Sequence, residues 1–278
     1  MPNQPGPFAI LNDNVIPSND PVIASLSHSF IIYEVIRVIN GKCLFLEDHL
    51  NRLFVSLSLA NRNLHENQDD LVKNIYKLIS SNSLINGNIR LDVCFQQKEV
   101  YRLVQIIPHD YPSAEDYLYG VKAITYKAER DNPNAKILNP VLREKISLLV
   151  KNANAWEALL LDHEDQITEG SKSNVFAVNG NMVITPPVEA VLPGVTRNHI
   201  VNLCKGNAIN IVERNISYSE INQYDSFFIT GTSPKVLPLK TIDNISFDVS
   251  NSIMKALSKA YDNAIFQYIE KTVIPDKS

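Results

Sequence analysis

Apolar and polar positions first alternate with a readable rhythm in FIIYEVIRVINGKCLFL, residues 30–46. The alternation predicts two strands, and Asn40-Gly41-Lys42 between them predicts a hairpin turn. The period then lengthens. In EDHLNRLFVSLSLANRN, Leu50, Leu53, Phe54 and Leu57 fall on one helical face. DDLVKNIYKLISSN reads as a second amphipathic helix with acidic residues at its start, and GNIRLDVCFQQKEVYRLVQIIP as another strand pair. PHDYPSAEDYLYG, rich in turn formers, breaks the pattern and reads as a linker. Beyond it, VKAITYKAER predicts a strand, and PVLREKISLLVKNANAW a helix with Pro140 in its first turn. EALLLD is a strand, SNVFAVNGNMVITP a hairpin turning at Asn179-Gly180, and TRNHIVNLCKGN a helix ended by Gly206. SFFIT is a strand that stops at GTSP, and SNSIMKALSKAYDNAIFQYIE is a closing helix. Strands mixed with helices and many hairpins predict an α+β fold over a doubly wound sheet.

Bulk properties narrow the classes. A chain of 278 residues with 45% hydrophobic and 20% charged residues suits one large or two modest soluble domains. A net charge of -4 gives no reason to expect nucleic acid or an anionic membrane surface as partner. No segment reads as a signal peptide or a membrane span. Cys43, Cys94 and Cys204 are odd in number, unpaired in spacing and set in apolar contexts. They read as core thiols in a reduced, cytoplasmic setting. The six histidines are scattered without ligand spacing, so no metal site is expected.

Three short stretches carry candidate chemistry. EGSKSNVF places the carboxylate of Glu169 where a turn feeds a strand. LPGVTRNHI puts Gly194, Val195 and Thr196 at a helix start, where free amides favour an anion. In FFITGTSPKV a strand ends and Gly231, Thr232 and Ser233 offer backbone and hydroxyl donors. Each stretch alone is an ordinary turn. Together they match the needs of a cofactor with a phosphate, a basic ring nitrogen and an aldehyde: anion donors, an acid and a lysine. Pyridoxal 5′-phosphate is such a cofactor.

TEGSKSNVF, LPGVTR and FITGTS, in this order, resemble the fold-type IV enzymes that use pyridoxal phosphate, the class IV aminotransferase family. That group holds branched-chain and D-amino acid aminotransferases and aminodeoxychorismate lyases. YEVIRVINGKCLFLEDHLNRL is similar to the family's N-terminal strands and following helix, so the likeness covers nearly the whole chain. The resemblance implies Glu169 on the pyridine nitrogen and Arg52 on the phosphate. Thr196 and Thr232, with the amides of Val195 and Gly231, would complete the phosphate cradle, and Asn174 would stand behind the ring. NAKILNPVLREK resembles the family's K-x-L-N version and selects Lys136 as the Schiff-base lysine. Lys145, Lys151 and Lys172 are expected to face outward. Tyr33 matches a tyrosine that serves the cofactor's phenolic oxygen or the substrate. Arg90 and Ser233 are candidates for the substrate side, and His28 is a candidate for the same pocket.

The chain also departs from the pattern. Ser29-Phe30-Ile31 precedes the Tyr33-Glu34 pair where the family often has G-D-G. Asp92 to Gln97 replaces T-R-G, and no tyrosine follows Lys136 closely, unlike the branched-chain type. The resemblance implies two domains, a small α+β one over 1–114 and a larger one over 121–278, with a linker near 108–120 and the cofactor between them. It also implies a homodimer. The main expectation is an aminotransferase moving an amino group between an amino acid, branched-chain among the candidates, and a 2-oxo acid. The alternatives are an aminodeoxychorismate lyase releasing p-aminobenzoate and pyruvate, and a non-catalytic relative that binds pyridoxal phosphate.

Overall fold

The structure is a computed structural model and describes residues 6–274. The chain forms two compact units. The first comprises the residues up to Asp110, the short segment Ala135–Leu138 and the chain from Ile265 onward. The second comprises Tyr111–Asn134 and Asn139–Ala264.

In the first unit the chain runs β1 (Phe8–Leu11), β2 (Asn14–Pro17), α1 (Pro21–Leu26), β3 (Phe30–Ile39) and β4 (Lys42–Cys43). It continues through α2 (Leu46–Leu59), α3 (Gln68–Ser81), β5 (Gly87–Gln96) and β6 (Glu99–Ile107). The strands make one six-stranded sheet in the order β2-β1-β6-β5-β3-β4. The predicted turn at Asn40-Gly41 is present, both residues taking positive φ (52° and 74°), so β3 folds back on the two-residue β4. Alternation along β3 sends Ile32, Ile36 and Val38 into a core with Leu50, Leu53 and Leu57 of α2 and Leu71, Ile75 and Leu78 of α3. Helix α3 starts under an Asn67 cap with Asp69 and Asp70 in its first turn, which suits its positive end. The hairpin β1–β2 and helix α1 were not foreseen. Four-residue strands joined through Asn12-Asp13 are too short to show a period.

The second unit begins with α4 (Ala114–Tyr119), β7 (Val121–Lys127), α5 (Pro140–Asn152), β8 (Glu157–Leu161), β9 (Gln166–Gly170), β10 (Asn174–Asn179) and β11 (Met182–Thr185). It continues with α6 (Val195–Gly206), β12 (Asn210–Glu213), β13 (Ile216–Ser217), β14 (Ser226–Gly231), β15 (Lys235–Ile242), β16 (Ile245–Ser246) and α7 (Ser252–Lys271), of which the part from Ile265 belongs to the first unit. Its sheet has ten strands in the order β12-β11-β10-β14-β15-β7-β8-β9-β13, with β16 on β15. Pairings are mixed, parallel for β15–β7, β7–β8 and β11–β12 and antiparallel elsewhere. Helix α4 lies inside the turn-rich stretch 108–120, closed by a capping box in which Ser113 and Asp116 exchange hydrogen bonds.

One helix end corrects the sequence reading. Gly206 is the last helical residue of α6 without a left-handed turn; the cap is Asn207, and the positive φ (53°) falls on Ala208. The Asn207 amide and side chain both satisfy the carbonyl of Leu203. All three cysteines are buried free thiols. Burial pushes Cys43 and Cys94 up to about 12 and Cys204 up to about 11. Among the described residues no helix is long and apolar enough to cross a membrane.

Candidate active site

Strand β3 has two faces, and the first unit uses both. The face toward α2 carries Glu34, fully buried among apolar side chains. An isolated carboxylate there would be costly. Two side chains from successive turns of α2 reach it. Arg52 grips it with both sides of its fork, Nε to Oε1 at 2.7 Å and Nη2 to Oε2 at 2.6 Å. His49 approaches with Nδ1 at 2.8 Å from Oε2. Burial alone would raise the Glu34 pKa, but the Arg52 charge and the hydrogen bonds from Arg52 and His49 outweigh it and hold the group at about 2. Burial lowers the His49 pKa against the pull of Glu34. The neutral imidazole therefore carries its proton on Nδ1, where it donates to the carboxylate. The sequence reading assigned Arg52 to an anion and did not foresee that Glu34 holds it.

This cluster sets an acid limit on stability. A carboxylate held below its ordinary value contributes stability that is complete above about pH 4.5 and is lost as pH falls toward 2. The lowered His49 acts in the same direction, because it must take up a proton in acid. The Glu34 contribution is on the order of 3 kcal/mol. Thermal unfolding followed from pH 6 to pH 3 should show Tm falling steeply at the acid end, and Glu34→Gln should flatten the profile while lowering its neutral plateau. An equally steep profile in the variant would remove Glu34 from the explanation.

The opposite face of β3 carries Tyr33, with Arg90 and Asp92 beside it on β5 through the pairs Val35–Arg90 and Tyr33–Asp92. Asp92 is buried and accepts Arg90 Nε at 2.6 Å and Gln105 Nε2 at 3.3 Å. Arg90 lies over the Tyr33 ring at 5.6 Å. Burial works against the Arg90 charge, and Asp92 more than offsets it. Asp92, noted in the sequence only as a departure, is thus the side chain that orients Arg90.

Lys136 reaches the same face. Residues 135–138 run antiparallel along β3 through the bridge Ile32–Ile137, the Tyr33 amide donating to the Lys136 carbonyl at 3.1 Å and the Leu138 amide to that of Ile31 at 2.9 Å. The Lys136 amide donates to Ser56 Oγ of α2 at 3.1 Å. Partners opposite each other in such a pair share a face. Lys136 accordingly projects beside Tyr33, its Nζ 4.9 Å from the ring centroid. Lys136 is half-buried, whereas Lys145, Lys151 and Lys172 are exposed, as expected. His28 is also exposed.

In the second unit, Glu169 lies within β9 itself and is buried. Its Oε1 takes Arg130 Nη1 at 3.0 Å, and its Oε2 takes the amide of Leu192 at 3.1 Å. Arg130 was missed. It sits in the irregular stretch after β7, where no spacing rule marks it. Asn174 at the head of β10 donates to the carbonyl of the same Leu192 at 2.8 Å. Glu169 and Asn174 therefore fix both ends of one residue in the loop entering α6. That loop ends at Gly194, where an added Cβ would stand 2.0 Å from Asn174 Oδ1 and would push that side chain from its place. Helix α6 begins with no side-chain cap and no acidic residue in its first turn, leaving the end that favours anions uncompensated by side chains. Thr196 is buried there and accepts from the Tyr261 hydroxyl at 3.1 Å. On β14, Thr230 stands opposite Asn174, its Oγ1 buried without a partner among the described residues. Gly231 ends that strand, and Thr232 and Ser233 follow, half-buried. The second unit thus gathers Glu169, Asn174, Val195, Thr196, Gly231, Thr232 and Ser233. The first holds Arg52 on one face of β3, and Tyr33, Arg90 and Lys136 on the other.

The first unit thus sets a lysine against a tyrosine, and the second holds a buried carboxylate with an arginine partner and an uncapped helix start. The family model of the class IV amino-transferases matches residues 31–242, and the chain belongs to that family. It is 29% identical over 255 residues to the D-alanine aminotransferase of Bacillus licheniformis, covering 87% of this chain and 90% of that one. Its fold matches the Escherichia coli branched-chain amino acid aminotransferase with a TM-score of 0.82 at 22% identity, covering 94% of this chain and 95% of that one. It also matches the T.th. branched-chain amino acid aminotransferase solved with pyridoxamine 5′-phosphate, with a TM-score of 0.84 at 21% identity and 95% of each chain covered. The α+β fold-type IV architecture and the aminotransferase class expected from the sequence are borne out.

Proposed function

We propose that this chain uses pyridoxal 5′-phosphate to move an amino group from a small or branched aliphatic amino acid to a 2-oxo acid. The observation that carries the proposal is Lys136: of the four candidate lysines it alone is half-buried, with its backbone pinned to β3 and its amine beside Tyr33. The residues suit the cofactor. The uncapped start of α6 and the buried, unsatisfied Thr230 hydroxyl suit a phosphate, and the Glu169 carboxylate suits a ring nitrogen. The names of the relatives, D-alanine and branched-chain aminotransferase, support the aliphatic substrate class.

When bound, the cofactor supplies an aldehyde for the amine and a ring that takes up the electron pair left at Cα. The chain supplies the rest. Thr196, Thr232 and the amides of Val195 and Gly231 would hold the phosphate, with Arg52 adding its charge from its place on Glu34. Glu169 would keep a proton on the ring nitrogen, and Asn174 would keep the loop behind it in place. Tyr33 would donate to the phenolic oxygen. Lys136 would supply the amine that the aldehyde needs and would take and return the proton at Cα, base first and acid second. Arg90, held by Asp92, and Ser233 face the substrate. We further propose that the enzyme is cytoplasmic, in keeping with its three buried free thiols, and a homodimer, as the family resemblance implies.

The test is a visible spectrum of the protein with pyridoxal phosphate, followed by single amino acids and then a 2-oxo acid. A band that moves to the pyridoxamine form with D-alanine or a branched-chain amino acid, and returns with pyruvate or 2-oxoglutarate, is the expected result. Release of p-aminobenzoate and pyruvate from aminodeoxychorismate without that cycle would assign the chain to the lyases instead. Absence of any band at saturating cofactor would end the enzymatic reading.

A further inference from the structure

The second unit spends a buried carboxylate on a turn. Glu157 opens β8 and is 4% exposed. Its Oε1 accepts from the amide of Ala158 at 2.9 Å, the amide of Ser171 at 3.2 Å and the Ser171 hydroxyl at 2.6 Å. Its Oε2 accepts from the amide of Lys172 at 3.3 Å and the Ser173 hydroxyl at 2.9 Å. Every donor is an amide or a hydroxyl. A buried charge without a cation is costly, and several well-placed donors are what make it tolerable. The turn itself leaves no room for adjustment. A Cβ on Gly170 would lie 2.1 Å from Ser173 Oγ and 3.1 Å from Glu157 Cγ and Cδ.

This accounts for the GSKS sequence between two residues of the site. Glu169 immediately precedes the clamped turn and Asn174 immediately follows it, and both converge on the peptide groups of Leu192. We propose that Glu157 is the positioning residue of the site: by fixing residues 170–173 it sets the direction of the Glu169 carboxylate and the Asn174 amide together. It touches neither cofactor nor substrate. The inference rests on the reading of Glu169 as the partner of the ring nitrogen.

The clamp makes different demands on different replacements. Glu157→Gln keeps an acceptor for Ser171 and the Ala158 amide, and its new NH2 group can donate to the Ser173 hydroxyl, which reverses its role. Only the longest contact, to the Lys172 amide, is lost. Glu157→Ala loses all of them. The experiment measures the dissociation constant for pyridoxal phosphate by absorbance titration, and the pH at which the bound cofactor's visible band changes. We expect Glu157→Ala to weaken binding by tenfold or more and to lower the pH of the spectral change, with Glu157→Gln within threefold of wild type on both. If Glu157→Ala does not fold, Ser173→Ala carries the test, with a loss of several fold expected in a protein that still folds at a modestly lowered Tm. Wild-type affinity and an unmoved spectral transition, in Glu157→Ala or its substitute Ser173→Ala, would overturn the proposal. Failure of the wild type itself to bind pyridoxal phosphate would instead overturn the functional reading.

Discussion

Lys136→Ala is expected to abolish amino transfer while leaving a folded protein that still takes up pyridoxal phosphate. The residue is asked to do two jobs, to bond the aldehyde and to move the Cα proton. Loss of a positioned general acid–base alone lowers kcat by about 10²–10⁴-fold. Loss of the nucleophile adds to this, so kcat/KM should fall by at least about 10³-fold. The structural cost is small. The Lys136 backbone bonds to Tyr33 and Ser56 do not involve its side chain, and the amine–ring contact with Tyr33 is worth about 0.5–1 kcal/mol. For a chain of this size that moves Tm by a few degrees at most, roughly 1–4 °C. Lys145→Ala on the exposed face of α5 is the control and should match wild type. A small primary amine added to Lys136→Ala should restore part of the proton transfer. A variant that transfers amino groups at the wild-type rate would displace Lys136 from the mechanism.

What the sequence made legible follows from how local each signal was. The β3–β4 turn, the two helices after it and the β10–β11 hairpin depend on period and on Asn-Gly pairs within a few residues, and they formed where expected. Strand β15 was hidden because Pro238 lies in its middle, which argues against a central strand. It is tolerated there beside a register shift in the pairing with β7. Lys136, Glu169, Asn174 and Thr196 could be nominated from ordered short motifs. Their partners could not. Glu34, Asp92 and Glu157 looked like polar positions in or at the start of expected strands, and Arg130 stands in an irregular stretch with no period. Long-range contacts such as Arg130 to Glu169 or Glu157 to Ser173 join residues whose proximity only the fold creates. The short motifs were therefore readable before the contacts that surround them.

Glu169→Gln is expected to leave the loop nearly in place and to remove the charge that holds a proton on the ring nitrogen. The amide oxygen can still accept from Leu192 or from Arg130, but no orientation offers acceptors to both, so one of the contacts at 3.1 and 3.0 Å is lost. Arg130 is then left with less compensation in a partly buried position. Pyridoxal phosphate should still bind, because its phosphate donors are untouched. A neighbouring carboxylate typically shifts a basic group by about 1–3 pKa units toward the charged form. Its loss should lower the protonated fraction of the ring, and with it kcat, by about 10–10³-fold at neutral pH, more severely as pH rises. The sign follows from the charge: without the carboxylate, the ring nitrogen gives up its proton at lower pH, so activity lost at pH 8 should return in part at pH 6. KM for the amino donor should change little, because Glu169 acts on the ring and not on the donor's carboxylate. A rate loss that is flat from pH 6 to pH 8, or one confined to KM, would show that Glu169 does not act on the ring nitrogen. It would leave Arg130 and Glu169 as a structural pair.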